Sequence, residues 1–327
     1  MPAPIPVVVV GCGVFGRHHA RVLSMLPAAR LAGVYDLDPE RARALAQEFG
    51  TRALASIEEV EAAAAAAIVA VPTVAHAAVA VQLLEAGLDL LVEKPIAPSL
   101  ADADRILAAA QKRARILMVG HLERFNPAVR LVRARLTRPL FFEVHRLSVF
   151  TPRSLDVDVL LDLMIHDLDI VISFVGAPPA DLQAVGLAVL SPHTDIANVR
   201  LSFENGCVAN LTASRVSTEK VRKLRFFQPG EYISLDYSRR DARVFSVAQG
   251  PHAPPAISHQ HLVGDGAEPL AAEVAAFLEC VRTRQPPEAD GPAARAALAA
   301  ALQAAQVIAQ HHQRLATAPQ GAAPRSQ

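Results

Sequence analysis

A lysine, a histidine and two aspartates are spaced in this sequence so that they could do chemistry together. Only four of its 32 basic residues are lysines, and one of them, Lys94, sits in the tripeptide Glu93-Lys94-Pro95. The run Leu88 to Glu93 before it reads as a parallel strand, and the carboxyl edge of such a sheet is where open α/β folds bind ligands. Pro95 biases Lys94 away from helical geometry. Farther on, Asp162, His166 and Asp169 fall at i, i+4 and i+7 on one face of a helix. The rest of that stretch is large and apolar, so the helix should be mostly buried, and its polar groups then need partners or a ligand.

If the fold brings them together, an ammonium, an imidazole and a carboxylate suit the oxidation of an alcohol, in which the hydroxyl proton must be removed as hydride leaves carbon. Using Lys94 as the base would require its pKa to fall by roughly three units from about 10.4, about 4 kcal/mol. Histidine, at about 6.5, needs almost no shift. The expected roles are therefore His166 as base, Asp162 as the group that orients its ring, and charged Lys94 as the stabiliser of the developing alkoxide. Burial beside a bound cofactor that lowered Lys94 far enough would exchange the first and last roles.

The hydride acceptor has a place at the first turn. Gly11-Cys12-Gly13-Val14-Phe15-Gly16 follows a strand and opens a helix, the context in which this spacing signals a dinucleotide. Gly11 permits the tight turn, Gly13 lets backbone approach a pyrophosphate, and Gly16 lets helix and strand touch. The helix N-terminus, starting at Val14 and Phe15, adds unpaired N–H groups and partial positive charge. Asp36 closes the second strand, where a carboxylate accepts both ribose hydroxyls and repels a 2′-phosphate. NAD is expected over NADP, although Arg41 and Arg43 could soften that repulsion. Glu93 and Lys94 complete the cofactor edge. No HExxH or second histidine at ligand spacing accompanies His166, so no metal is expected. His259-Gln260-His261 and His311-His312 read as a solvated loop and a helix end.

These groups need a scaffold. Residues 1–121 alternate β-branched runs (7–10, 31–35, 67–71, 88–93, 116–119) with helical patterns (17–25, 39–49, 74–85, 100–113), the signature of a doubly wound Rossmann domain. Residues 122–315 read as an α+β domain for substrate and oligomerisation, with an open, mostly antiparallel sheet. Its helices are expected at 127–136 and 158–174, and its strands at 140–149, 182–189, 197–203, 208–214, 221–227, 231–236 and 243–247. Asn205-Gly206 and Pro229-Gly230 supply hairpin turns. Two late helices, 269–283 and 292–313, follow, the last able to pack back on the first domain, and residues 316–327 read as a flexible tail. Alternation in the later strands offers Phe226, Ile233 and Leu235 to a subunit contact, hence a homodimer or homotetramer.

Composition narrows the function classes. Acidic and basic residues each number 32 in 327 residues, so no basic field draws nucleic acid or an anionic membrane. The cysteines, Cys12, Cys207 and Cys280, have neither disulfide nor zinc spacing. The N-terminal run lacks a charged leader start, and the longest apolar stretch, 62–71, is too short to span a bilayer. A cytoplasmic enzyme acting on a small molecule is expected.

The first glycine turn, Glu93-Lys94-Pro95, Gly120-His121-Leu122-Glu123-Arg124-Phe125-Asn126-Pro127 and the Asp162/His166 helix together resemble the Gfo/Idh/MocA family of sugar and polyol oxidoreductases, over about residues 5–315. The resemblance implies a Rossmann domain, a second domain whose open sheet mediates oligomerisation, and an active site between them. It makes Lys94, Asp162 and His166 the catalytic trio and Asp169 a substrate contact, as in inositol dehydrogenases. It also sets Pro72, Thr73 and His76 along the cofactor. The segments at 120–127 and 162–167 look most like the branch that oxidises C3 of UDP-N-acetylglucosamine for diamino-sugar, lipid A-type synthesis. Val159-Leu160-Leu161 stands where many relatives carry a Gly-Gly pair. For the anionic part of such a substrate, Arg124, Arg153 and Arg215 are the candidate cations by placement near the cleft, and Tyr237 a candidate sugar contact. The competing readings are a free-sugar or inositol dehydrogenase and an NAD-binding regulatory protein without turnover.

Overall fold

Valine and other apolar runs build the first layer. The structure, a computed structural model, describes residues 3–151, 157–248 and 256–317. Its first part runs β1 (Ile5–Val10), α1 (Val14–Met25), β2 (Ala29–Tyr35), α2 (Pro39–Phe49), α3 (Ile57–Ala63), β3 (Ala66–Val69), α4 (His76–Glu85), β4 (Asp89–Glu93), α5 (Leu100–Lys112) and β5 (Leu117–Gly120). The five strands form a parallel sheet in the order β2-β1-β3-β4-β5. Val7 to Val10 are at most 1% exposed, because helices cover both faces of the sheet. The strand order reverses between β1 and β3, and the Gly11 turn opens at that reversal, the place where such sheets bind ligands. Helix α2 is fixed at both ends: Asp38 accepts from the Glu40 N–H (3.0 Å), and Gly50 closes it in the left-handed region at φ 62°. Helix α3 was not among the expected elements. Its sequence signal is a capping pattern, with Ser56 accepting from Glu59 N and Glu59 reaching back to Ala55 N.

The second part runs α6 (Pro127–Arg133), β6 (Phe141–Leu147), a π-helical turn (Leu160–Met164), α7 (Ile165–Val175), β7 (Asp181–Leu187), β8 (Ile196–Ser202), β9 (Val208–Ser214), β10 (Val221–Gln228), β11 (Glu231–Asp236), β12 (Asp241–Ala248), β13 (Ala256–Val263), α8 (Pro269–Thr283) and α9 (Gly291–Thr317). The sheet order is β13-β12-β11-β10-β6-β9-β8-β7, antiparallel except where β6 runs parallel to β9. Gly206 and Gly230, both at positive φ, make the two hairpin turns. Helix α7 and the later residues of α9, such as Ala301 and Ile308, cover one face of this sheet. Earlier residues of the same helix, Ala294 and Leu298, enter the core of the parallel sheet beside Ile106 and Leu117. One helix thus spans both cores, while Val274, Phe277 and Leu278 of α8 seal the other face of the parallel sheet.

Three expectations change. Residues 256–263, whose histidines read as loop, form edge strand β13, with His261 Nε2 2.8 Å from Asp241 Oδ2; nearly every residue of that strand is exposed, so it carries no alternation to read. Phe226, Ile233 and Leu235 are at most 1% exposed inside this chain's own core and are not available to a subunit. The open face of those strands instead presents Phe227, Tyr232 and Phe245 in a cross-strand row, with neighbouring ring centroids 4.9 and 5.6 Å apart. The residues expected as tail start inside α9, and 318–327 lie outside the described residues.

The loop before β8 depends on one buried carboxylate. Asp195, 0% exposed, accepts from the N–H groups of Val189, Leu190 and Ser191 at 2.6 to 2.9 Å and from Arg215 Nε at 2.7 Å. Burial opposes its charge, but the Ser191 hydroxyl (2.7 Å) and then the three N–H groups hold its pKa far below the usual carboxylate range. Its stabilisation is present at neutral pH and is lost as pH falls into the acid range. Asp195→Ala is expected to cost about 3–5 kcal/mol, read in urea unfolding at neutral pH, because it removes one partner of a buried charge pair and the shared acceptor of three loop N–H groups. A cost under about 1 kcal/mol would contradict this.

Candidate active site

The first turn fits a dinucleotide. Gly11 has φ +99°, and a Cβ there would lie 2.6 Å from the Ala70 carbonyl carbon; a Cβ on Gly16 would lie 1.8 Å from Gly11 O. Gly13 has nothing within 4 Å of a Cβ, which leaves open space where backbone must approach a phosphate. The first turn of α1 holds no acidic residue and no side-chain cap, so its N–H groups are left for an anion. Val14 and Phe15 flank it, exposed. At the end of β2, Asp36 is fixed by the N–H groups of Cys12 (2.7 Å) and Asp38 (2.9 Å), one to each oxygen. Arg41 pairs with Asp38 and Arg43 with Glu40, so neither offsets the Asp36 charge as the sequence had suggested. A ribose diol suits this carboxylate and a 2′-phosphate does not.

The same carboxyl edge carries Pro72 and Thr73, followed by His76 at the start of α4. His76 sits with Nδ1 2.9 Å from Pro95 O and Nε2 3.0 Å from Val71 O, which straps the end of β3 to the Lys94-Pro95 segment. The residue is 1% exposed, enclosed by these contacts. Glu93 also turns inward: Oε1 lies 2.7 Å from His19 Nε2, and Oε2 accepts from Lys94 N at 3.2 Å. Burial works against its charge, but the His19 contact and Lys94 hold it below the ordinary carboxylate range.

Lys94 crosses between the two sheets. Its Nζ donates to the backbone carbonyl of Asp162 at 2.8 Å and lies 3.7 Å from Asp162 Oδ1. Asp162 lies in the π turn, whose wider spacing links Ile165 N–H to Leu160 O, five residues back. Such turns re-aim side chains and loosen the helical ladder. The uniform helix expected over 158–174 is therefore broken at the residue that receives the lysine. Burial lowers the pKa of Lys94, and the Asp162 and Glu93 carboxylates only partly oppose this. One turn on, His166 is 9% exposed and its Nδ1 has no partner among the described residues. Burial first, then the charges of Lys94, Arg146, His121 and Arg222, push its pKa well below the usual histidine value. The expected Asp162–His166 hydrogen bond is not present among the described residues; Asp162 holds Lys94 instead.

Asp169, the third member of the stripe, is 1% exposed and accepts from Arg124 Nε (2.7 Å) and Nη2 (2.6 Å), while Arg124 Nη1 donates to Glu288 O (2.6 Å). Both were expected to touch substrate; the structure has them neutralise each other beneath the pocket. Tyr237, expected on the sheet as a sugar contact, is 4% exposed, and the guanidinium of Arg146 lies 5.0 Å from its ring centroid. Arg146 binds both oxygens of Asp167 (2.6 and 2.8 Å) and Glu123 Oε1 (3.1 Å). Arg215 closes the Asp195 loop. Arg153 lies outside the described residues.

Sequence reasoning missed three groups. Arg222 shares the inward face of β10 with Leu224 and Phe226, and its side chain has no hydrogen bond or ion pair among the described residues. Glu273 of α8 is 0% exposed with both oxygens unpartnered; burial and then Glu93 push its pKa well above the usual carboxylate value, which favours its neutral form. His121, directly after β5, stands beside His166. Glu273 is one polar residue in an apolar helical stretch, and that pattern was the available signal; Arg222 is hidden in the basic run 220–225 and His121 in the polar turn after β5. Among the described residues no group of His, Cys, Asp and Glu could hold a metal ion, and no helix is long and apolar enough to cross a membrane.

Known proteins share the sequence pattern and fold of both parts of this chain. The family described as "Oxidoreductase family, NAD-binding Rossmann fold" matches residues 5–121, and the "GFO/IDH/MocA C-terminal domain" matches residues 128–228. The chain is 38% identical over 297 residues to UDP-N-acetylglucosamine 3-dehydrogenase of Acidithiobacillus ferrooxidans, covering 90% of this chain and 94% of that protein. A solved structure of that enzyme superposes with a TM-score of 0.87 at 36% identity, covering 93% of this chain and 98% of the other. Inositol 2-dehydrogenase of Rhizobium meliloti is 26% identical over 326 residues, covering 93% and 97%. The chain belongs to the Gfo/Idh/MocA family of NAD-binding oxidoreductases.

The glycine turn yields a paired test. Gly13→Ala is expected to leave the thermal midpoint unchanged within about 2 °C yet weaken NADH binding, read by nicotinamide fluorescence, at least tenfold or about 1.4 kcal/mol, because its methyl occupies phosphate space. Gly16→Ala is expected to destabilise the fold itself. Equal NADH affinity in Gly13→Ala and the native protein would contradict the assignment.

Proposed function

We propose that this enzyme oxidises the C3 hydroxyl of UDP-N-acetylglucosamine to a ketone with NAD as hydride acceptor, and that it works as a homodimer or homotetramer in the cytoplasm. The observation that carries the reaction type is the Lys94 ammonium fixed at Asp162, one helical turn from an imidazole kept uncharged. The substrate is supported by near end-to-end likeness to a UDP-N-acetylglucosamine 3-dehydrogenase, and by Arg222, a cation with no acidic partner among the described residues, beside the pocket.

Bound NAD supplies the carbon that receives hydride. The chain does the rest. Neutral His166 takes the hydroxyl proton, and charged Lys94 stabilises the oxygen as its negative charge develops. Asp162 positions the lysine. Preformed donors in a buried pocket need no reorganisation as charge develops, and removing one such donor costs about 10²–10³ in turnover. Asp36 selects the ribose diol.

The pH dependence follows in sign. His166 must be neutral and is held below about 6.5, so the acid limb of kcat/KM should lie below that value. Lys94 must be charged and is lowered from the value 10.5, so the alkaline limb should fall below 10.5 and move upward in Lys94→Arg. A panel of UDP-sugars, free sugars and inositols, scored by NADH absorbance, should give turnover only with the UDP group present. Lys94→Ala and His166→Ala should each lose at least about 10²-fold. Turnover of free inositol at a comparable rate would replace this substrate, and NAD binding without turnover of any sugar would remove the enzyme reading. Asp36→Ala should raise relative use of NADP by about tenfold or more, read as the ratio of kcat/KM for the two cofactors; an unchanged ratio would contradict the role given to Asp36.

A further inference from the structure

His121 lies beside His166 and is unused by the steps above. It directly follows β5, on the same carboxyl edge as Lys94, and its side chain is 2% exposed. Neither ring nitrogen has a hydrogen-bond partner among the described residues. A buried imidazole normally satisfies at least one nitrogen, and one left open on both sides is open toward a ligand or toward a proton in transit. Its ring stands edge-to-face against His166, centroids 6.3 Å apart at 88°. Its Nδ1 lies 3.8 Å from Asp169 Oδ2, within ion-pair reach but beyond hydrogen-bond distance. His166 Nδ1 is likewise unpartnered. Two neighbouring imidazoles therefore hold three open nitrogens, with a carboxylate behind the second.

We propose that His121 is the second proton carrier of the reaction, taking from His166 the proton that leaves the substrate and holding it against Asp169 until product departs. This rests on the reading of His166 as the base. In balance, the substrate O–H bond breaks and its proton goes to the first imidazole as hydride leaves carbon for NAD. The two rings are not hydrogen-bonded to each other, so the resulting imidazolium gives the proton of its other nitrogen to a bridging water, which passes a proton on to His121, and His121 becomes the cation. The substrate carbon is oxidised by two electrons and NAD is reduced by two. The proton leaves to water after the ketone does, which restores both neutral rings.

The charges around each ring give this transfer a direction. His166 faces Lys94, Arg146, Arg222 and His121, with no acid bonded to its ring. His121 faces Asp169 and His166 on α7, Arg124 in its own turn, and Lys94 and Glu93 at the end of β4. Burial lowers both rings, and only the second has a carboxylate, Asp169, beside it that opposes this, which favours a proton on His121.

The test uses the full chain with NAD and UDP-N-acetylglucosamine, comparing His121→Asn, His121→Gly and His166→Asn. His121→Asn is expected to retain native NADH affinity by fluorescence and to lose about tenfold or more in kcat near pH 7, with the loss shrinking toward about pH 9 as hydroxide takes over. In His121→Gly, added imidazole should restore activity in a saturable way. A structural role would produce neither the pH trend nor the imidazole response. A loss that is equal at every pH and unrelieved by imidazole, or no loss at all, overturns the proposal. If His166→Asn turns over like the native enzyme, the base assignment itself fails. If only His166→Asn is impaired, the base stands and the carrier does not.

Discussion

Around the pocket, the carboxylates are matched to cations from other elements, and His166 is left without an acid. Asp162 takes Lys94, Asp169 takes Arg124, and Asp167 with Glu123 takes Arg146. Each pairing brings together segments far apart in sequence. Losing one partner of a buried pair leaves a charge stranded at a cost of about 3–5 kcal/mol, so these pairs fix the relative seat of β4, β6, α7 and the turn at 122–125. Their chemical consequence is equally direct. With its acids committed elsewhere and cations on several sides, the imidazole is neutral at physiological pH and ready to receive a proton.

The two sheets contribute different things to this arrangement. The parallel sheet ends its strands on one edge, which sets the Gly11 turn, Asp36, the His76 strap and Lys94 along a single line suited to an extended dinucleotide. The mixed sheet supplies an inward face on which Arg146 and Arg222 sit at the pocket end, followed by apolar residues deeper in. Helix α9, packed in both cores, limits how far the two can move apart. The π turn at 160–164 is the local adjustment that puts a backbone carbonyl and a carboxylate of one residue in front of the lysine.

Much of this was legible in the residues. The glycine turn, the lysine after β4 and the polar helix face each depend on local spacing, and local spacing is what a sequence displays. Partner choice was not legible. Whether Asp162 binds His166 or Lys94, and whether Arg124 faces a ligand or Asp169, depends on contacts across 45 to 68 residues of chain. The inward face of the later strands was misjudged for a related reason. Alternation shows that Phe226 and Phe227 point opposite ways, but only the position of α7 and α9 decides which side is covered. Strand β13, exposed along its length, had no pattern to reveal it.

Lys94 and His166, delivered by different sheets, are proposed to act on one substrate hydroxyl in front of the nicotinamide. A crystal structure of the complex with NADH and UDP-N-acetylglucosamine tests it most directly. The account predicts the sugar C3 about 3.5 Å from nicotinamide C4, with the C3 hydroxyl in hydrogen-bond reach of both the Lys94 ammonium and the His166 ring. A complex in which that hydroxyl faces solvent, or lies more than about 6 Å from both nitrogens, would contradict it.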